Sequence, residues 1–134
     1  MKYIVIGPLL KAIFRPWIVG RRNIPVEGGA ILASTHLSFA DSVFLPLMID
    51  RQMSFLAKSD YFVGKTLSGW AVKNFLLGTG MIPIDRSGGK ASEASLNTGL
   101  RVLANGGVLG IYPEGTRSPD GKLYRGRTGV ARMI

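Results

Sequence analysis

Apolar residues in this chain fall into short runs separated by longer stretches with helical spacing. Ala30–Ala33, Met53–Ala57, Met81–Ile84 and Val108–Tyr112 are compact and mostly apolar, and read as strands. Between them, Ser42–Ile49, Tyr61–Leu77 and Ala91–Leu103 read as helices. The middle helix carries Phe62, Leu67, Trp70, Ala71, Phe75 and Leu76, and the last lines one side with Leu96, Leu100 and Leu103. Asp41 or Ser42 is placed to cap the first helix, Pro46 shortens or kinks it, and Asn105-Gly106-Gly107 stops the last one. Pro83 puts the third strand at a sheet edge or makes it end there. Strands alternating with helices predict an α/β fold: a largely parallel or mixed central sheet flanked by helices. In such folds the chemistry gathers in loops past the strand ends.

A segment of different character precedes the first strand. The turn Pro25-Val26-Glu27-Gly28-Gly29 divides an N-terminal helical segment, residues 1–24, from a domain over 25–134. The segment combines bulky apolar residues, among them Leu9, Leu10, Ile13, Phe14, Trp17 and Ile18, with scattered bases. Its longest charge-free stretch, Tyr3 to Leu10, falls far short of the ~20 residues a membrane span needs. The following Gly20-Arg21-Arg22 also fits a secretory cleavage site poorly. The pattern suits a helix lying in a membrane interface. The plain alternative is a helix packed on the domain core.

Charge strengthens that picture. The 134 residues carry 17 Lys and Arg against 8 Asp and Glu, a net charge of +9. The excess sits at the two ends, with residues 1–26 at +5, 27–116 neutral and 117–134 at +4. An anionic partner follows: a lipid surface, a phosphorylated substrate or nucleic acid. Nucleic acid is disfavoured, because there is no RNP motif, zinc-finger spacing or basic helix with aromatic stacking positions. With no cysteine and one histidine, thiol catalysis, disulfides, Cys-ligated zinc and multi-histidine metal sites are excluded.

Three loops at strand ends hold the unusual residues. The first, Thr35-His36-Leu37-Ser38-Phe39-Ala40-Asp41, places the only histidine five residues before an acid. On a continuous helix the two side chains would stand about 140° apart, but a turn can fold them together. A carboxylate bonded to one imidazole nitrogen fixes the tautomer and leaves the other nitrogen as a base. No protein nucleophile need join them if the substrate brings its own hydroxyl. The alternative is a histidine satisfied by backbone and an aspartate capping a helix. The second loop runs through Gly80–Arg86 into Ser87-Gly88-Gly89-Lys90. Arg86 and Lys90 around flexible glycines before a helix suit a phosphate, although a Walker loop would need glycine at Ile84 and Ser or Thr at Ala91. The third, Tyr112-Pro113-Glu114-Gly115-Thr116-Arg117-Ser118, crowds polar groups around a glycine that permits close backbone approach. The second and third loops also read as ordinary surface turns when taken singly.

In this order the three blocks resemble those of the glycerolipid acyltransferase family, the lysophosphatidate (1-acylglycerol-3-phosphate) acyltransferases: H-x4-D, G-x-(I/F)-P-I-D-R and (Y/F)-P-E-G-T-R-S. The resemblance implies transfer of an acyl group from acyl-CoA or acyl-carrier protein to the hydroxyl of lysophosphatidate, giving phosphatidate. It makes His36 the general base, Asp41 its orienting partner, Arg86 a phosphate ligand, and Glu114, Gly115, Thr116 and Arg117 the binding group for the glycerol-phosphate acceptor. It calls for no metal or prosthetic group, the acyl donor being a substrate. It implies a peripheral or monotopic place on the cytoplasmic face of the cell membrane. Thr35 stands where the family has asparagine. The chain stops at Ile134, before the family's fourth block, an apolar strand after a helix that begins near Thr128. The expectation is a truncated form lacking at least one core strand. Two alternatives remain at this stage: another acceptor, such as glycerol-3-phosphate or a different lysophospholipid, or a non-catalytic basic module that binds membranes.

Overall fold

The computed structural model describes residues 7–63, 66–84 and 90–133. Its centre is a four-stranded sheet of β1 (Ala30–Ala33), β2 (Met53–Lys58), β3 (Met81–Ile84) and β4 (Val108–Ile111), in the order β1-β4-β2-β3. Every pairing is parallel, so the α/β expectation is borne out. β3 lies at an edge, where the missing N–H of Pro83 breaks no internal ladder. β4 is the inner strand against β1, and its Val108 and Leu109 are both fully buried, one on each face.

The two faces are covered differently. Ala30, Leu32, Met53, Phe55, Ala57, Met81, Val108 and Tyr112 point to the main core, with Leu45 and Ile49 from the α2 (Asp41–Leu47) region and Leu76 from α3 (Leu67–Gly78). A Cβ on Gly110 would come within 2.4 Å of the Phe55 ring, so the aromatic fills the space that a larger residue would take. On the opposite face lies α4 (Lys90–Ala104), whose Gly99 backs directly onto Leu109 and Met133. The inward stripe is therefore Leu96, Gly99 and Leu103, whereas Leu100, predicted on the same side, is 40% exposed. The missing side chain at Gly99 is what lets the helix approach, and a hydrophobic count cannot register it.

Two other elements differ from expectation. The helix predicted from Tyr61 begins at Leu67; Ser59–Phe62 form a separate 3-10 turn. Thr66 supplies the start, its hydroxyl accepting the Gly69 N–H at 3.2 Å. Among the described residues of the N-terminal segment, α1 (Gly7–Phe14) and a 3-10 turn at Arg21–Asn23 form. Arg15, at φ 44°, and Pro16 end α1. Among the described residues no helix is long and apolar enough to cross a membrane.

Arg51 ties the amino ends of the strands together. Its guanidinium donates to the carbonyls of Pro25 (2.8 Å), Gly28 (2.6 Å) and Gly106 (2.5 Å), from the segments that lead into β1 and β4. Replacing it leaves three carbonyls to find water, and Arg51→Met is expected to lower the unfolding free energy by about 2–3 kcal/mol, read as a shifted urea midpoint at unchanged slope.

Candidate active site

The site is assembled where the chain leaves β1 and β4 at their carboxyl ends. These strands are neighbours, yet their continuations part. The first leads into α2 on the main-core face. The second leads into a strap, residues 112–133, whose Met133 meets α4 on the other face. In open α/β sheets the carboxyl ends of adjacent strands with diverging continuations are where ligands commonly bind.

On the β1 side, Asp41 is the first residue of α2. Its carboxylate does not cap the helix forward. It turns back, and Oδ2 accepts the N–H groups of Leu37 and Ser38, each at 2.8 Å. The same oxygen lies 3.1 Å from His36 Nδ1. The loop is thereby wound around one carboxylate oxygen, and the histidine and aspartate pair across the turn. Burial raises the Asp41 pKa, but the Ser38 amide, the His36 contact and the Leu37 amide outweigh it, and the carboxyl ionises below its ordinary value of 3.8. An ionised acceptor at Nδ1 places the proton there and leaves Nε2 with its lone pair. The His36 side chain keeps 14% exposure, so the imidazole is sheltered but reachable.

On the β4 side, Tyr112 lays its ring on the His36 imidazole, with centroids 3.9 Å apart and planes 10° from parallel. The two loops are also joined through backbone, the Ser118 N–H donating to the His36 carbonyl at 2.8 Å. Between these contacts the chain turns sharply: Gly115 N–H donates to Tyr112 O at 2.9 Å, with Gly115 at φ 76°. The Arg127 N–H closes the strap on Pro113 O at 2.7 Å, and a Cβ on Gly115 would stand 3.3 Å from Arg127 Nε.

The predicted residues thus fall into three groups. His36 and Asp41 are paired directly. Of the third block, Glu114 is buried (7% exposed), and its Oε2 has no partner among the described residues; Gly115, Thr116 and Arg117 are exposed on the turn beside the pair. Arg86, with residues 85–89, lies outside the described residues. Sequence reasoning passed over two contributors. Tyr112 was read as the end of the fourth strand and the first residue of the third block, with no role in the site, although it shares the parity of Val108 and Gly110, which face the main core. Arg127 sits outside the three blocks, and only the folding of the strap brings it against Gly115.

The fold is thus an α/β protein with a parallel sheet, whose histidine–aspartate pair follows β1 and lies beside the turn that follows β4, at the carboxyl ends of two neighbouring strands. A model of the acyltransferase family matches residues 15–134, and the chain belongs to that family. It is 31% identical over 118 residues to a 1-acyl-sn-glycerol-3-phosphate acyltransferase of Bacillus subtilis, covering 87% of this chain and 56% of the relative. A chloroplastic enzyme of the same name from Arabidopsis thaliana is 31% identical over 79% of this chain and 28% of its own length. Another, from Borreliella burgdorferi, is 25% identical over 87% of this chain and 44% of its own. The chain therefore spans little more than half the length of the Bacillus relative. No solved structure matches it.

The low Asp41 pKa carries a stability consequence. A carboxylate ionising below its unfolded value stabilises the fold above that value, and the contribution is lost as pH falls below 3.8 and through the folded value. Asp41→Asn is expected to be less stable than wild type near neutral pH, with the gap shrinking as the medium is acidified through that range. Urea unfolding of both chains over a pH series measures it, and a gap that stays constant rules out the ionised pairing.

Proposed function

We propose that this chain carries out acyl transfer from an acyl thioester, acyl-CoA or acyl-carrier protein, to the free hydroxyl of lysophosphatidate, giving phosphatidate. One observation carries the reading: His36 Nδ1 is held on an ionised carboxylate, with no partner at Nε2 among the described residues, beside a turn that carries Glu114 and an exposed Arg117. The acceptor hydroxyl gives its proton to Nε2 as its oxygen attacks the thioester carbonyl. Collapse of the tetrahedral intermediate expels the thiolate, which takes the proton back from the imidazolium. Asp41 orients the ring and balances its transient charge. The alcohol serves as nucleophile, which accords with a site whose base has no Ser or Cys nucleophile assigned to it. Arg117 and Arg127 supply positive charge for the acceptor's phosphate, and Glu114 joins the acceptor site on the strength of its block. Arg86 joins them on the strength of its block. The names of the Bacillus and Arabidopsis relatives favour lysophosphatidate over glycerol-3-phosphate as the acceptor.

The partner surface in this reading is the cytoplasmic face of a phospholipid membrane, met peripherally or monotopically. In support, Ile13, Phe14, Trp17 and Val19 are 61–82% exposed, and the loop between His36 and Asp41 exposes Leu37 and Phe39 by 53% and 60%. Phe14 packs edge-on to Phe44 of α2, with centroids 5.4 Å apart, so the apolar N-terminal segment stands next to the helix that bears Asp41. Bilayer binding would cover these side chains while the basic ends meet anionic headgroups.

Two measurements test the proposal. His36→Ala is expected to cut thioester consumption with lysophosphatidate on membranes by about 10²–10⁴-fold while the fold survives, as read by circular dichroism. Retained activity rejects the mechanism, and preference for glycerol-3-phosphate or another lysolipid reassigns the acceptor. In flotation with vesicles rich in anionic phospholipid, the double change Ile13→Ser, Trp17→Ser should move most of the protein out of the lipid fraction; unchanged flotation removes the N-terminal segment from the docking surface.

A further inference from the structure

An imidazole held by one hydrogen bond is not yet a positioned base. The contact between Nδ1 and Asp41 Oδ2 fixes one point of the ring, and the ring can still swing about that contact, carrying Nε2 through a wide arc. A flat contact on the ring face removes that freedom, because rotation would drive the ring edge into the neighbour. Asp41 and a stacked partner together therefore define the direction of Nε2, which neither defines alone.

We infer that Tyr112 is the positioning residue for this base: its ring is the wall that sets the plane of the His36 imidazole, and it is itself locked from two sides. The stack is close and nearly parallel, at 3.9 Å and 10°. The first lock is Phe55, a buried core residue stacked on Tyr112 at 5.5 Å and 18°. The second is the phenol, whose oxygen lies 3.3 Å from Ser42 Oγ, on the residue that follows Asp41. The closed circuit runs from the imidazole to Asp41, along the chain to Ser42, across to the Tyr112 hydroxyl and back through the stacked rings. It joins the end of β4 to the start of α2, so the orientation of the base is tied to the packing of two elements.

The chemistry of the phenol suits this role. Burial above all, with the negative charge of Asp41, raises its pKa over the lowering effect of the Ser42 contact, so the ring stays neutral. A neutral tyrosine presents an electron-rich face, which favours the imidazolium that forms when the proton is taken. The inference rests on the proposed role of His36, but its first test needs no turnover.

His36 is the only histidine in the chain, so its two ring C–H signals are identified in an NMR spectrum without assignment. In the wild type they should be shifted upfield and show ring-to-ring contacts to a tyrosine. Tyr112→Phe should keep both, the shift and the contacts then arising from phenylalanine, and Tyr112→Leu, which retains bulk but not the flat face, should lose them. In thioester consumption with lysophosphatidate, Tyr112→Leu is expected to lose about 10–100-fold in kcat with little change in KM, and Tyr112→Phe to recover most of it. Absence of the upfield shift and ring contacts in the wild type overturns the inference, and that measurement stands even if the leucine variant fails to fold. A folded Tyr112→Leu with wild-type kcat overturns it equally. A chain with the stack intact whose activity survives His36→Ala rejects the catalytic reading instead, which separates the two failures.

Discussion

One oxygen, Asp41 Oδ2, organises the region on which the proposed activity depends. It takes the amide protons of Leu37 and Ser38 and the Nδ1 side of His36, all from the short loop just before it in the chain. Three donors converging on a carboxylate hold it ionised despite partial burial. They also leave the loop no room to relax, since losing the carboxylate would strand two amides and the imidazole together. The anchoring of the histidine at Nδ1 and the closure of the loop thus rest on the same oxygen.

That loop is useful only because of what stands next to it. Parallel pairing of β1 with β4, in a register 78 positions apart, brings their following loops to the same end of the sheet, and the Ser118 amide then fastens the later loop to the His36 carbonyl. Gly110 makes room for Phe55, Phe55 supports Tyr112, and Tyr112 lies against the imidazole. A chain of close contacts therefore runs from the centre of the sheet to the base. The interior is packed densely enough that a change at Gly110 or Phe55 would be felt at His36.

Much of the architecture was legible beforehand. Short apolar runs marked all four strands within a residue or two, and Pro83 marked an edge, because strand formation here is dictated by burial of contiguous apolar residues. The histidine and aspartate were also legible, by kind and spacing. Helix detail was less so. The start of α3 at Leu67 depends on the Thr66 hydroxyl and on a preceding 3-10 turn, both weaker local signals than the apolar pattern that spans them. The inward stripe of α4 was misread at Leu100 because the decisive residue is Gly99, whose contribution is the absence of a side chain. The role of Arg51 was invisible, since its three acceptors are backbone carbonyls scattered from Pro25 to Gly106.

By itself the sequence determined the α/β class, the placing of the polar blocks at strand ends, and the residue types available for chemistry, because those follow from local pattern and composition. Tertiary structure alone decided the strand order, the stack of Tyr112 on His36 and the approach of Arg127 to Gly115. Each of these is a contact between distant parts of the chain, set by the pairing of β1 with β4 and by the meeting of their loops at the carboxyl ends of the two strands, a constraint that no window of neighbouring residues contains.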